Sequence, residues 1–397
     1  MLRNLVARPR IGRAPASTTG GQVTGLPIFF ENKSTLPGFR TVVSLHGHTL
    51  YSRENLGFLN TLARKVPLIR VAIERGAERY RRVHGTDLDV TRAWWTPPLA
   101  PYGAWRLEAG RITSQFGARP LVSLSDHDDI EAGVTLRVLE ECSTVPVSVE
   151  WTVPFGGTFF HMGVHNLPPE KARRIMAELS AFTVNPKEDA LPDLFAALHA
   201  HRTVLIIFNH PCWDESDVGQ AHHMAAARRF VATCGSFLHA FEMNGLRPWS
   251  ENRMAIDFAT ECGKPVVSGG DRHALEPNTV LNLTNAETFE EFVEEVRDGR
   301  SQVLITTQYT EPFALRILHN IEQILADHET HGMGWRRWSD RVFYAGDDGV
   351  VRSLSELWGN HGPMAVRTFV RGVQILHTPP LRGAFRTMLG GRRGVAL

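Results

Sequence analysis

Histidine is abundant in this chain, with 18 copies, and several stand at the ends of apolar runs beside acidic residues. His46 and His48 close the run TVVSLHGH. Alternate side chains of a strand share a face, so both imidazoles point to one side as a ready pair of metal ligands. Asp126 and His127 end RPLVSLSDHD, Glu150 lies inside VPVSVEWTV, His161 and His165 follow in TFFHMGVHN, His210 ends TVLIIFNHP, and Asp271 and His273 follow PVVSGG. Burying so many imidazoles and carboxylates unpaired would cost on the order of several kcal/mol each, and metal coordination neutralises them. Imidazole with carboxylate and no thiolate suits Zn, Mn or Fe. Cys142, Cys212, Cys234 and Cys262 form no CxxC pair, so reduced thiols are expected rather than a thiolate zinc site or a redox couple.

The runs that must position these residues are nine predicted strands, at 41–48, 119–128, 145–153, 158–166, 203–211, 237–245, 264–271, 278–285 and 301–308. Helical spacing fills most of the intervals, and strand-helix alternation implies a parallel sheet or barrel. Every acid or histidine group then falls at or near the C-terminal end of a strand, where α/β barrels build their sites. Residues 1–38 lack periodicity and read as a flexible basic arm, 39–310 as the barrel, and 311–397 as a mainly helical extension. An aromatic insertion at 84–106 interrupts the rhythm. Its Trp94 and Trp95 are candidate substrate contacts; the alternative is an insertion packed on the flank. The helix expected at 364–377 docks on the barrel or, in a homo-oligomer, on a second copy of the chain.

Composition narrows the class. With 397 residues, 43% hydrophobic and 21% charged, the chain reads as a soluble globular protein of two or three domains. No apolar run approaches the roughly 18 residues of a membrane span, and the start lacks the apolar region of a secretory signal, so a cytoplasmic protein is expected. Charge is uneven: residues 1–30 and 361–397 carry arginines and no acid, leaving 33 basic against 42 acidic residues between them. An acidic body argues against a broad nucleic-acid face. P-loop, GxGxxG, GxSxG and HExxH patterns are missing, which removes nucleotide-switch, dinucleotide, serine-hydrolase and zincin chemistry.

Taken in order, LHGHT, SLSDHDD, VEW, HMGVH, NHP and GGDRHA resemble the PHP superfamily, named for polymerase and histidinol phosphatase. The resemblance covers about residues 41–309 and ends on VRDGRSQVLIT. It implies a distorted (β/α)7 TIM-like barrel and a metal-dependent phosphoesterase. Carried over residue by residue, it implies that His46, His48, His127, Glu150, His161, His210, Asp271 and His273 ligate two or three divalent ions, with Asp126 orienting its neighbour. His165 is the alternative to His161. The family has a further acidic or histidine ligand shortly after the HxH pair, where this chain has Arg53 and Glu54. Glu54 can serve as that ligand, whereas Arg53 cannot bind metal and either contacts a substrate phosphate or points to solvent.

On this reading hydroxide forms at the metal cluster, and His210 or His273 protonates the leaving alcohol when free of metal. Arg53, Arg247 and Arg272 are candidate phosphate contacts, and Glu242 faces the site. The expected substrate is a small phosphorylated molecule, a nucleotide or an oligonucleotide end. Two other readings compete. A metallo-amidohydrolase also opens with HxH, but generally uses a lone late Asp and often a mid-barrel Lys, which this chain lacks. A non-catalytic PHP-like module would have lost ligands that are present here.

Overall fold

Each of the nine apolar runs contains a strand in the computed structural model, because alternating β-branched residues need only local pattern to extend. The structure describes residues 28–31, 36, 38–56, 67–87, 89–327, 333–358, 364–376, 378–381 and 383. Most of the expected arm and the end of the extension lie outside them. The strands are β1 (Ile28–Phe30), β2 (Thr41–Ser44), β3 (Glu54–Asn55), β4 (Ala93–Trp95), β5 (Arg119–Val122), β6 (Val147–Phe155), β7 (Thr158–Leu167), β8 (Leu205–Asn209), β9 (Ala240–Asn244), β10 (Val266–Gly269), β11 (Val280–Thr284), β12 (Val303–Ile305), β13 (Val342–Ala345) and β14 (Val351–Ser353).

Their pairing corrects the expected architecture. The described residues form three separate sheets, ordered β1-β12-β11-β2-β5, β10-β9-β8-β7-β6 and β14-β13-β4-β3, and none closes. The protein is a mixed α/β fold, not a (β/α)7 TIM-like barrel. Strand direction is the reason. A two-residue hairpin at Gly156–Gly157, both at positive φ, turns β6 directly into β7, and β7 runs antiparallel to β8 as well. β11 is antiparallel to both β2 and β12. Among the described residues no ladder joins the two five-stranded sheets, which meet through the isolated bridges Gly47↔Arg272 and His127↔Glu150 and through bonds such as Gly270 N–H to the Leu45 carbonyl. The extension holds the helices Phe313–Leu325, Leu354–Trp358 and Met364–Leu376, and with them the antiparallel pair β13 and β14.

Alternation along the second sheet separates core from site. Val149, Trp151 and Val153 of β6, Phe160 and Met162 of β7, Phe208 of β8, and Phe241 and Met243 of β9 are buried in one cluster with Phe182, Phe195, Phe230 and Phe258 of the covering helices. The residues between them, Glu150, His161, Asn209 and Glu242, face the other way. There Val43 and Leu45 pack with Leu205, Ile207, Ala240 and Val267 in an apolar plug between the sheets. The polar residues collect past that plug, at the strand ends. No helix among the described residues is long and apolar enough to cross a membrane.

Candidate metal centre

Three residues leave their strands with a reversal of backbone hand. His46, His210 and Asp271 all have positive φ, at 59°, 26° and 56°, a region that side chains other than glycine occupy at a cost on the order of 1 kcal/mol or more. The same three residues form a donor group whose ligand atoms lie within 4.8 Å of one another. Three further groups are chained to it: His46, His48 and Glu150 share His46 with it, and that group in turn shares Glu150 with His127, Glu150 and His161, and His48 with His48, Glu54, His127 and His273. Glu150 stands at the middle. Its oxygens lie 2.9 Å from His46 Nε2, 3.3 Å from His48 Nε2 and His127 Nδ1, 3.5 Å from His161 Nδ1 and 3.1 Å from His210 Nε2.

The donors fit a divalent cation. Ligands about 2.1 Å from a tetrahedral ion are separated from one another by about 3.4 Å, which is the spacing found here. His48 Nε2 is buried with no hydrogen-bond partner, although carboxylate oxygens of Glu150 and Asp271 both lie 3.3 Å away. None of the cysteines joins a donor group, so the cluster is one of imidazole and carboxylate alone.

A second layer fixes the first. Glu242, buried on β9, bonds His46 Nδ1 at 2.5 Å and accepts the His210 backbone N–H at 2.9 Å. Asn244 bridges Glu242 and Asp271 through its amide, at 2.9 and 3.2 Å, and Asn209 donates to Glu150 at 3.0 Å. Asn209 stands inside the NHP motif, yet nothing in its type marked it as a partner of Glu150. Glu215 was equally illegible. It lies in the loop after β8, 3.8 Å from His161, and burial pushes its carboxyl up to about 7.

The nine residues read as ligands come together. Glu54 lies 3.2 Å from His273 Nε2 and 3.4 Å from His127 Nε2, and Ser52 donates to it at 2.6 Å. Arg53 is exposed and lies over the Trp94 ring at 5.2 Å. Asp126 accepts the backbone N–H and hydroxyl of Thr49, at 2.5 and 2.7 Å, so it braces the chain after His48. His165 points away from the donors, to the Ser123 hydroxyl at 2.7 Å. Arg272 is buried, paired with Glu108 at 3.1 Å and donating to the carbonyls of Ala274 and His48. Arg247 lies 3.5 Å over the ring of Trp213, itself beside His210, and its buried Nε has no partner. Trp95 approaches His273 at 5.9 Å between ring centroids, whereas Trp94 stacks on Phe343 at 5.7 Å.

Protons compete for the same atoms. Burial opposes charge on His46, but Glu150, Glu242 and Asp271 outweigh it and hold the imidazole well above its usual range. His48, also buried, is raised to about 10 by Asp271 and Glu150, and His210 is raised by Glu150. On His161 and His127 burial wins and the values fall. Burial would lift Glu150 and Asp271, yet His46 and the neighbouring imidazoles hold both well below the carboxylate range.

The sign follows by linkage. His48 adds stability to the fold below its ordinary value of 6.5 and loses it as pH rises towards 10, whereas the carboxylates contribute above their ordinary range and lose it in acid. A ligating imidazole must be neutral, so cation binding displaces protons and weakens as pH falls. Titration of manganese at neutral pH should release up to about three protons per chain, one from each raised imidazole that takes an ion, measured by calorimetry in buffers of different ionisation enthalpy. Heats independent of the buffer would show that His46, His48 and His210 do not take the ion.

No family model matches the chain, and no curated protein matches it. Among solved structures it is similar to PsfC from Pseudomonas syringae, at 14% identity and a TM-score of 0.37, over 71% of this chain and 97% of that one. An amidohydrolase from Chromobacterium violaceum, solved with sulfate and no metal, is 15% identical with a TM-score of 0.35, over 51% of this chain and 93% of its own. A candidate metal-dependent phosphoesterase from Bifidobacterium adolescentis is 14% identical with a TM-score of 0.32, over 66% and 97%. At these values none of the three decides the chemistry here.

Proposed function

We propose that this protein is a metal-dependent hydrolase acting on phosphoric esters, with two or three Zn, Mn or Fe ions held by His46, His48, Glu54, His127, Glu150, His161, His210, Asp271 and His273. One observation carries the reading: four overlapping groups of imidazole and carboxylate share Glu150, His46, His48 and His127, so neighbouring cations would be bridged rather than isolated. Bound divalent ions supply hydroxide near neutral pH and neutralise the oxygens of an in-line phosphoryl displacement.

The chain's own residues do the rest. Arg247, with a free buried Nε and its plane set by Trp213, meets a non-bridging phosphate oxygen. The proton for the leaving alcohol comes from His273, the more exposed, or from His210, whichever is left free of metal. Trp95 forms the wall beside His273. Asp126 keeps His48 in register through Thr49. Arg53 with Trp94 forms an outer rim that a nucleotide or oligonucleotide end can reach.

The test is protein loaded with manganese, zinc or iron and assayed on phosphomonoesters, phosphodiesters, nucleotides and short oligonucleotides, with amides in parallel. Turnover of a phosphoric ester that a chelator abolishes and metal restores is the expected result. Turnover of amides alone would replace this reading with an amidohydrolase, and fewer than one ion per chain after loading would end it.

A further inference from the structure

We infer that the C-terminal segment Trp338–Ser353 is a working part of the metal centre, because it holds Glu54 and Trp95 in place through β4. This rests on the proposed role of Glu54 as a ligand. β3 is only two residues long and is the edge strand of its sheet, too short to hold its own geometry. Its partner β4 has three residues and pairs on its other side with β13. Glu54, Trp95 and Val342 are opposite one another across these strands, as are Asn55, Trp94 and Phe343. The first row faces the donors, since Glu54 and Trp95 both meet His273. In the second row Asn55 donates to Glu215 at 3.2 Å, and Trp335 packs edge-on against Phe343 at 5.3 Å.

The junction of β4 with β13 is clasped at both ends. Arg341, just before β13, is 2% exposed. Its guanidinium donates to the carbonyl of Thr96 at 3.1 Å and to those of Ile324 and Ala326, while the Thr96 N–H returns a bond to the Arg341 carbonyl at 2.9 Å. One buried cation thereby joins β4 to the carbonyl end of the helix Phe313–Leu325, where positive charge is favoured. At the other end Arg92 pairs with Asp347 and the Gly346 carbonyl and lies over Tyr344. A donor residue of the centre thus depends on a segment that contributes no ligand itself. Arg341 and Arg92 are positioning residues.

The experiment uses the full chain with manganese as the probe, and reads ions per chain and the affinity of the weakest site. Arg341→Met should bind that ion roughly ten- to a hundredfold less tightly, the effect usual for a residue that orients a ligand, as Glu54→Gln should. Phe195→Leu, in the core under the second sheet, should lower thermal stability and keep every ion. If Arg341→Met does not fold, the half-exposed Arg92→Ala tests the same junction and should weaken the site several-fold. Full affinity in the Arg341 and Arg92 variants, with loss in Glu54→Gln, overturns the inference and leaves the proposed function standing. Full affinity in Glu54→Gln itself removes both the ligand role and the inference.

Discussion

Glu150→Gln should strip at least one ion from each chain and lower hydrolysis by roughly a thousandfold or more, the several kcal/mol that metal activation supplies. Glutamine keeps the volume of the buried side chain and removes its charge, so packing survives while five imidazoles lose their common counter-charge. Two donor groups include Glu150, so both lose an oxygen donor at once. Without the carboxylate, His46, His48 and His210 lose one of the partners that raise them, and fewer protons should be displaced by the remaining metal. Metal analysis and the rate on the best ester found for the parent decide the matter. Full ion content with a rate within about tenfold of the parent would mean that Glu150 is a bystander.

Gly270→Ala should be among the most destabilising small substitutions in the molecule. A Cβ there would stand 1.7 Å from the Asn278 side-chain carbon and oxygen, and Asn278 cannot step aside. Its amide donates to Ser44 Oγ at 2.8 Å and the Leu45 carbonyl at 2.9 Å, and its backbone N–H bonds buried Glu108. Overpacking with loss of those buried bonds costs on the order of 3 kcal/mol or more. Leu45 and Gly270 precede His46 and Asp271, so metal content should fall as well. Gly263→Ala is the contrast: its φ is +64° but nothing lies within 4 Å, so only backbone strain of about 1 kcal/mol is expected. Melting curves should separate the two clearly. A Gly270→Ala protein that melts with the parent would refute the steric argument.

The chain itself determined which residue types could do chemistry and where along it they fall. Strand periodicity is local, so all nine runs were legible, and the donors were legible because their acids and histidines cluster at or near the ends of those runs. Arg53 and Glu54 show the limit. Sequence left both open, and the structure buries Glu54 among the histidines while Arg53 rests on Trp94.

Only the tertiary structure decided the rest. Strand direction, the third sheet assembled from Glu54–Asn55, Ala93–Trp95 and Val342–Ser353, and the services of Glu242, Asn209 and Arg341 all depend on contacts between segments far apart in the chain. The barrel expectation failed for that reason. Alternation tells which side of a strand is buried, whereas the neighbour it pairs with is chosen by side-chain fit across the whole molecule.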